Sequence, residues 1–314
     1  MKKILFLDLV HPILEERLMA SGYVCEHDYT SPKQEVEQQI ENYFGIVIRS
    51  RFTIDQSFLD EAKQLRFIAR SGAGLENIDV AYAEQKGIQV FNSPEGNKDA
   101  VGEHAIGMLL MLFNQLKKGD AEVRKGIWDR EGNRGLELSG KTVAIIGYGN
   151  MGSAFAEKLA GFGCTVLAYD KYKQGFGTAL VKEADLNTIY READVVSIHL
   201  PLSEETNQYV NKAFIDNFQN PIYLINTARG NNVSLNDLVG ALRSGKVLGA
   251  CLDVLEYESK SFEQIDTEQL PESFQYLRNA ENVVLSPHVA GWTKESYIKL
   301  STYLADKIEE NFNN

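Results

Sequence analysis

The sequence is poor in cysteine and contains no long apolar run. Among its 314 residues there are three cysteines, and each lies in or beside a short apolar segment. Scattered cysteines of this kind favour buried thiols in a reducing, cytoplasmic compartment, and they offer no Cys/His spacing for a metal site. No apolar run approaches the roughly 18 residues that a membrane-spanning helix requires. We therefore expect neither a bound metal nor a membrane partner.

Positive charge is also scarce. The chain has 32 Lys and Arg against 44 Asp and Glu, which gives a net charge of −12. Proteins that bind nucleic acid along its phosphates need clusters of Lys and Arg, so we expect no nucleic-acid partner. A small anionic molecule is not excluded, because it needs only a local cationic pocket.

Short apolar runs alternate with amphipathic stretches along the whole chain. This alternation predicts an α/β fold in which helices cover doubly wound parallel sheets, and the length suggests about two domains. The expected strands are 4–9, 23–26, 45–49, 67–70 and 88–91 in a first group, and 143–146, 165–169, 195–198, 223–226, 249–252 and 283–285 in a second. Residues 99–117 are apolar nearly all round, which predicts a helix buried between domains or between subunits.

The second group of strands opens with a glycine-rich turn that carries the strongest functional signal. The strand 143–146 leads into Gly-x-Gly-x-x-Gly, and a helical pattern follows. Gly147 allows a tight turn, Gly149 lets the backbone approach a pyrophosphate, and Gly152 lets the helix pack closely on the strand. Asp170 ends the next strand, about 20 residues further on, where a carboxylate can accept hydrogen bonds from an adenosine ribose. This unit predicts a Rossmann domain that binds NAD, with contacts from Gly147, Gly149, Asn150, Met151, Gly152 and Asp170.

Three later strands each end in a residue that suits acid/base chemistry or anion binding. In parallel sheets, ligands bind beyond the carboxyl ends of the strands. Arg229 follows the strand 223–226, Glu258 follows 249–252, and His288 follows 283–285. Taken singly, each is as well explained by a surface ion pair, a solvated carboxylate or a structural histidine. Together they provide a cation for a substrate and a proton donor, as hydride transfer requires.

These segments resemble the D-isomer-specific 2-hydroxyacid dehydrogenases over almost the whole chain, and most closely the members that act on 3-phosphoglycerate. The motifs that carry the resemblance are 70–79, 87–92, 147–152, 199–202 with Thr206, 226–230, 253–258 and 287–291. It implies an NAD-binding Rossmann domain at 99–290 and a flavodoxin-like, substrate-binding domain at 1–98 and 291–314. It also implies a homodimer formed through the helix region 99–117.

The resemblance assigns roles by position. Arg229 would bind the substrate carboxylate, His288 would be the general acid/base, and Glu258 would stabilise its protonated form. The loop Ser71, Gly72, Ala73 and Gly74 would present backbone N–H groups to the same carboxylate. Further cofactor contacts would come from His199, Pro201, Thr206, Thr227, Ala228, Asp253 and Gly291. The family often has proline directly after the catalytic glutamate, whereas Ser259 stands there in this chain.

The prediction of the substrate depends on two further arginines. Arg49 ends the predicted strand 45–49, and Arg130 lies in a position that resembles one reaching the phosphate site of a neighbouring subunit. Either residue is also explained as an exposed surface arginine. We predict an NAD-dependent oxidoreductase that acts on a 2-hydroxy/2-oxo acid, 3-phosphoglycerate. The alternatives are a glyoxylate/hydroxypyruvate or other 2-oxo acid reductase, and an NAD(H)-sensing binding protein without turnover.

Overall fold

The computed structural model describes residues 2–258 and 270–312. These residues divide into two compact units, one formed by 2–97 and 292–312 and the other by 98–258 and 270–291. Ser259 lies outside the described residues.

The first unit is a five-stranded parallel sheet with helices on its faces. The strands are β1 (Lys3–Phe6), β2 (Val24–His27), β3 (Gly45–Ile48), β4 (Phe67–Arg70) and β5 (Gln89–Phe91). The helices are α1 (Ile13–Ala20), α2 (Lys33–Gln39), α3 (Gln56–Glu61) and α4 (Val80–Gln85), together with the last helix of the chain, α12 (Lys294–Phe312). Short 3₁₀ turns occur at Ile40–Asn42 and Pro94–Gly96.

The strand order of this sheet is β2-β1-β3-β4-β5, with all pairs parallel. Strand β2 lies on one side of β1, and β3, β4 and β5 follow in sequence on the other side. This is the flavodoxin-like order. Ligands of such sheets bind beyond the carboxyl ends of the strands where the order reverses, here β1 and β3. The residue that follows β3 is Arg49.

The second unit is a seven-stranded parallel sheet, which is also covered by helices. Its strands are β6 (Thr142–Ile146), β7 (Thr165–Tyr169), β8 (Lys182–Glu183), β9 (Val195–Ile198), β10 (Ile222–Asn226), β11 (Val247–Leu252) and β12 (Val283–Leu285). Its helices are α5 (Lys98–Phe113), α6 (Leu116–Arg124), α7 (Asn150–Lys158), α8 (Leu186–Glu192), α9 (Lys212–Asp216), α10 (Leu235–Ser244) and α11 (Glu272–Asn279), and a 3₁₀ turn spans Gly230–Asn232.

The strand order β12-β11-β10-β9-β6-β7-β8 reverses at β6 and β9. The predicted fold class, two doubly wound parallel sheets, is confirmed. One strand was not predicted: β8 consists of two exposed charged residues and therefore has no apolar signal. The glycine-rich turn follows β6, at the point where the strand order reverses, and this is where such sheets bind dinucleotides.

Helix α5 is the apolar helix that the sequence predicts, but much of its burial has a different cause. Eight of its residues are buried, including Ala105 and Leu109. It packs on α7 and on the strands β11 and β12 of its own unit. Its apolar surface is therefore largely covered within its own unit, and a part for the region 99–117 in a homodimer stays a prediction.

No helix among residues 2–258 and 270–312 is long and apolar enough to cross a membrane. All three cysteines carry free thiols. Burial raises the pKa of Cys25 to about 11 and raises that of Cys251 further. These thiols are thus poor nucleophiles. Cys251 is buried as predicted, whereas Cys25 and Cys164 are half-buried, and the compartment of the protein stays a prediction.

Two glycines of α5 allow a matched test of its packing. A Cβ at Gly102 would lie 3.1 Å from the Ala154 carbonyl oxygen of α7, whereas a Cβ at Gly107 would meet nothing within 4 Å. We expect Gly107→Ala to raise the free energy of unfolding by about 0.5–1 kcal/mol, because alanine favours helix. Gly102→Ala should lower it by about 1 kcal/mol or more, because the two helices cannot separate freely. Urea denaturation measures both, and equal gains in the two variants would contradict this account of the packing.

Candidate active site

Three neighbouring strands bring the candidate catalytic residues to one edge of the second sheet. Strands β10, β11 and β12 pair in parallel, with Asn226 opposite Leu252 and Leu252 opposite Leu285. Their carboxyl ends are thus level, and the loops that follow carry Arg229, Glu258 and His288.

His288 and Glu258 form a direct pair. The distance from His288 Nδ1 to Glu258 Oε2 is 2.6 Å, and both side chains are largely shielded from solvent, with exposed fractions of 25% and 13%. The other carboxylate oxygen of Glu258 accepts a hydrogen bond from the Leu255 amide. Because the carboxylate accepts at Nδ1, this ring nitrogen carries a proton and the ring orientation is fixed. The arrangement suits a histidine that exchanges protons at Nε2.

The backbone of His288 is held in an unusual conformation by Asp253. His288 has φ +54°, a left-handed conformation that is uncommon outside glycine. Its amide donates to the Asp253 carbonyl at 2.7 Å. The amides of Val289 and Ala290 donate to the Asp253 carboxylate at 2.9 and 2.8 Å. Three consecutive amides therefore fix the loop that presents the imidazole.

The Asp253 carboxylate is buried, with an exposed fraction of 1%, and two further side chains satisfy it. Ser286 Oγ donates to Oδ1 at 2.5 Å, and His104 Nε2 lies 2.9 Å from Ser286 Oγ and 3.5 Å from Oδ1. Burial acts to raise the pKa of this carboxyl. The hydrogen bonds outweigh that effect and hold the pKa below its usual range. The sequence did not single out His104, because nothing in its local pattern distinguishes it from other helical histidines.

Arg229 lies in a loop that packs tightly on the loop carrying Glu258. Its backbone amide donates to Asn232 Oδ1 at 3.1 Å, and its guanidinium donates to the Ala228 carbonyl at 2.7 Å. A Cβ at Gly230 would lie 2.0 Å from the Leu255 carbonyl oxygen. Only glycine permits this approach, so the two loops are held side by side.

The glycine-rich turn has the shape that a dinucleotide pyrophosphate requires. Gly147 has φ +95°, and a Cβ there would lie 2.7 Å from the His199 carbonyl oxygen. A Cβ at Gly152 would lie 2.1 Å from the Gly147 carbonyl oxygen, which shows how closely α7 packs on the turn. A Cβ at Gly149, by contrast, would meet no atom of the described residues within 4 Å. The turn is thus tightly packed at Gly147 and Gly152 and open at Gly149. Helix α7 begins at the open side, with Asn150 and Met151.

Asp170 lies beside this turn, at the end of β7. Its carboxylate accepts from the Tyr148 amide at 2.9 Å on one oxygen, and from the Tyr172 and Lys173 amides at 2.9 and 3.1 Å on the other. The nearby Lys171 pairs with Glu205 at 2.5 Å. The carboxylate of Asp170 is therefore held in a fixed position, and the charge of the neighbouring Lys171 is balanced by Glu205.

Two buried polar atoms at this edge of the sheet have no hydrogen-bond partner among the described residues. They are Thr227 Oγ1, after β10, and His199 Nδ1, after β9. His199 Nε2 is bonded to Ser197 Oγ at 2.8 Å, and burial lowers the pKa of the ring to about 3. His199 is therefore neutral at physiological pH and does not suit acid/base chemistry. Unpartnered buried groups and an open glycine turn fit a bound NAD.

Other predicted cofactor contacts have structural tasks as well. The Thr206 hydroxyl donates to the Pro201 carbonyl at 2.5 Å and accepts from the Ser203 amide at 2.8 Å. The Ala228 amide donates to Asn226 Oδ1 at 3.1 Å. These bonds close the turns that follow β9 and β10. Gly291 is the last residue of this unit.

In the first unit, the loop after β4 has two adjacent backbone N–H groups that no described residue accepts from. Gly72 has φ +154°, and its carbonyl accepts from the Ser93 amide at 2.9 Å. The Ser71 amide donates to the Ile48 carbonyl at 2.9 Å, whereas the amides of Ala73 and Gly74 donate to no atom of the described residues. Such adjacent unpaired N–H groups suit a carboxylate.

The two arginines after β3 differ sharply. Arg51 is structural, since its guanidinium donates to the carbonyls of Leu7, Asp28 and Ser31. Arg49 instead stacks on Trp292, with its Cζ 4.3 Å from the ring centroid. In the second unit, Arg130 is exposed in the loop after α6.

Comparison with known proteins identifies the family of the chain. Residues 106–290 match the family model described as D-isomer specific 2-hydroxyacid dehydrogenase, NAD binding domain. A D-3-phosphoglycerate dehydrogenase of Archaeoglobus fulgidus is 32% identical over 305 residues, which is 96% of this chain and 56% of that protein. A hydroxypyruvate reductase of Thermotoga maritima is 33% identical over 276 residues, 88% of this chain and 87% of that protein. The crystal structure of D-lactate dehydrogenase from Aquifex aeolicus, complexed with NAD and lactic acid, is 26% identical, with a TM-score of 0.82 and coverage of 99% and 96% of the two chains.

The second unit is thus a dinucleotide-binding domain. The chain belongs to the D-isomer specific 2-hydroxyacid dehydrogenase family, and residues 106–290 are the NAD-binding domain of that family.

The role of Asp253 leads to a pH-dependent prediction. A carboxyl whose pKa is lowered by folding stabilises the protein above its unfolded pKa of about 4, and the stabilisation is lost as pH falls through the lowered value. We expect Asp253→Asn to lower the free energy of unfolding by about 1–3 kcal/mol at pH 7, with a smaller difference at pH 3.5. Urea denaturation at both pH values tests this, with the exposed Asp120→Asn as control. An equal loss at both pH values would show that packing, not charge, is responsible.

Proposed function

We propose that the protein is an NAD-dependent dehydrogenase of D-2-hydroxy acids, which interconverts a D-2-hydroxy acid and its 2-oxo acid. The observation that carries this proposal is the His288–Glu258 pair, which lies next to the Arg229 loop at the carboxyl edge of the NAD-binding sheet. When bound, NAD supplies the acceptor or donor of hydride at the nicotinamide.

The protein residues manage the proton and the substrate charge. In reduction, His288 donates a proton from Nε2 to the 2-oxo oxygen, and in oxidation it accepts the proton of the hydroxyl. The carboxylate of Glu258 stabilises the imidazolium that this exchange requires. Arg229 holds the substrate carboxylate and polarises the reacting oxygen.

The residues that would hold NAD follow from the site. The turn formed by Gly147, Gly149, Asn150, Met151 and Gly152 would hold the pyrophosphate, and Asp170 would accept hydrogen bonds from the adenosine ribose. Thr227 and His199 provide the unpartnered buried atoms that a bound cofactor would satisfy. Asp253 acts indirectly, because it accepts hydrogen bonds from the amides of residues 288–290 and so holds the loop that carries His288.

A kinetic test separates His288 from the other histidines. We expect His288→Ala to lower kcat by about 10²–10⁴-fold, the usual contribution of a positioned proton donor. Glu258→Gln should lower kcat by a smaller factor, because glutamine can still bind the ring but carries no charge. His27→Ala, at an exposed histidine of the first unit, is the matched control. Binding of NADH, followed by its fluorescence, should be unchanged in all three variants, and a near-normal kcat in His288→Ala would refute the assignment.

A binding protein that senses NAD(H) without turnover is the alternative from a different class. Two observations disfavour it: the intact His288–Glu258 pair and the uncommon φ of His288, which a purely binding role does not explain. A reductase screen of 2-oxo acids with NADH decides between the two. Binding of NADH with no turnover of any 2-oxo acid would favour the sensor.

For the substrate we propose 3-phosphoglycerate and its 2-oxo product, 3-phosphohydroxypyruvate. The support is Arg49, whose guanidinium makes no hydrogen bond or ion pair with any described residue and follows β3, where the strand order of its sheet reverses. A dianionic phosphate needs such a cation in addition to Arg229. The name of the Archaeoglobus relative agrees with this choice, whereas the name of the Thermotoga relative keeps hydroxypyruvate as the alternative.

Arg49→Ala separates the two substrate classes. We expect it to raise KM for 3-phosphohydroxypyruvate at least tenfold, because a charge-assisted bond to the phosphate is lost. KM for glyoxylate should change little, because glyoxylate has no phosphate. Steady-state kinetics with both substrates tests this, and Arg191→Ala on α8 serves as the control for the loss of one exposed positive charge. Equal effects on both substrates would instead favour the glyoxylate/hydroxypyruvate reductase.

We also propose a homodimer, whose surface extends from the end of α5 through α6 and the loop that follows. The support is a set of exposed apolar residues, Met111, Leu116, Val123, Ile127 and Trp128. Trp128 is 78% exposed, which is unusual for so large an apolar side chain unless a partner covers it. Arg130 lies in the same loop, where a second copy can bring it to its neighbour's substrate.

Trp128→Asp should weaken the dimer by about tenfold or more, because a buried aromatic anchor is replaced by a charge. Sedimentation equilibrium measures the dissociation constant. Tyr172→Asp is the matched control, since Tyr172 is 79% exposed but lies outside the proposed surface. An unchanged constant in Trp128→Asp, or a monomeric native protein, would contradict the proposed dimer.

A further inference from the structure

The stacking of Arg49 on Trp292 is the feature of the first unit that its fold does not explain. The Arg49 Cζ lies 4.3 Å from the centroid of the Trp292 ring. Arg49 follows β3, and Trp292 precedes α12. Trp292 is 63% exposed, so it contributes little to the core of its unit.

The main chain around Arg49 is fixed from two sides. The Asp8 carboxylate accepts from the amides of Arg49, Ser50 and Arg51, at 2.6, 3.2 and 3.4 Å. The Arg49 carbonyl accepts from Arg70 Nε and Asn77 Nδ2, at 3.2 and 3.3 Å. The backbone donors of this turn are therefore already used by a carboxylate, and a ligand anion has to be bound by the Arg49 side chain.

That side chain retains its hydrogen-bonding capacity. Within residues 2–258 and 270–312, no carboxylate lies within ion-pair distance of the Arg49 guanidinium, in contrast to Arg51, which pairs with Asp28 at 3.6 Å. Stacking uses the face of the guanidinium plane, whereas its N–H donors point outward from the edge. A guanidinium held by its face can thus still bind an oxyanion with two parallel hydrogen bonds.

We propose that Trp292 is a specificity-determining residue that positions Arg49 for the phosphate of the substrate. By stacking on the guanidinium, the indole limits its rotamers and directs its edge donors toward a phosphate monoester. This inference deepens the proposed function and rests on it for the identity of the substrate. It also explains why so exposed a tryptophan lies at the start of α12, next to a residue at the strand reversal of the sheet.

The composition of the chain provides a direct binding test. It contains two tryptophans, Trp128 and Trp292, so Trp128→Phe leaves Trp292 as the only indole. We expect inorganic phosphate, titrated into this variant at constant ionic strength, to change the Trp292 emission saturably. The change should be lost when Arg49→Ala is added and retained when Arg191→Ala is added. A linear response equal to that of sodium chloride would show that the pair does not bind phosphate and would overturn the proposal.

Kinetics of two substitutions test whether the aromatic ring matters. Trp292→Leu keeps apolar bulk but loses the π-system, and Trp292→Phe keeps a ring. We expect Trp292→Leu to raise KM for 3-phosphohydroxypyruvate about two- to fivefold, in line with an exposed cation–π contact, without changing kcat or the KM for glyoxylate. In Trp292→Phe, the KM for 3-phosphohydroxypyruvate should stay close to that of the native protein. Equal effects of the two substitutions, or a lower KM in Trp292→Leu because the indole shields Arg49, would overturn the positioning role.

The two proposals fail in different ways. If Arg49→Ala affects both substrates equally, the phosphorylated substrate is wrong, while the phosphate titration still decides whether the pair binds an oxyanion. If Arg49→Ala separates the substrates but the Trp292 substitutions do not, the substrate proposal stands and the role of Trp292 falls.

Discussion

The buried carboxylate of Asp253 is the interaction on which the candidate active site depends. An unpaired buried charge would cost several kcal/mol, so its oxygens must be satisfied completely. The amides of residues 289 and 290 and the hydroxyl of Ser286 do this, and His104 extends the network from α5. One side chain thus connects the end of β11, the loop after β12 and the apolar helix. The left-handed conformation of His288 is maintained because these bonds leave its backbone little alternative.

Close backbone contacts set the spacing of the remaining parts. Gly147 and Gly230 each bring a loop so near a neighbouring carbonyl that a methyl group would not fit. At the same edge of the sheet, the buried Thr227 Oγ1 and His199 Nδ1 have no hydrogen-bond partner among the described residues. The edge of this sheet is therefore rigid where its loops pack on neighbouring carbonyl groups. Where a ligand would be bound, buried polar atoms still lack hydrogen-bond partners among the described residues. That combination is typical of a preorganised site, in which the cost of ordering is met during folding.

Much of this arrangement could be predicted from the sequence, because strand ends and glycine spacing are local signals. Strands β4, β7, β9 and β12 begin and end where the apolar runs indicate, and the His288–Glu258 pair connects residues that the motifs singled out. Contacts made only by folding could not be predicted. The hydrogen bond of His104 depends on where α5 lies against β12. Arg49 and Arg51 cannot be distinguished in the sequence, and only the folded structure shows that carbonyl groups surround the guanidinium of Arg51. The packing of α5 on α7 and β11 could not be predicted for the same reason, since periodicity shows that a helix is covered but not which elements cover it.

The short strand β8 has a consequence for the behaviour of the protein in concentrated solution. It forms one outer edge of the seven-stranded sheet, and its residues Lys182 and Glu183 are both exposed. An outer strand with unpaired amides and carbonyls is a template for pairing with strands of other molecules. Two charged residues in a two-residue strand make a poor template, because an incoming strand gains few hydrogen bonds and must desolvate both charges. The segment that carries no apolar signal in the sequence thus protects this sheet against edge-to-edge aggregation.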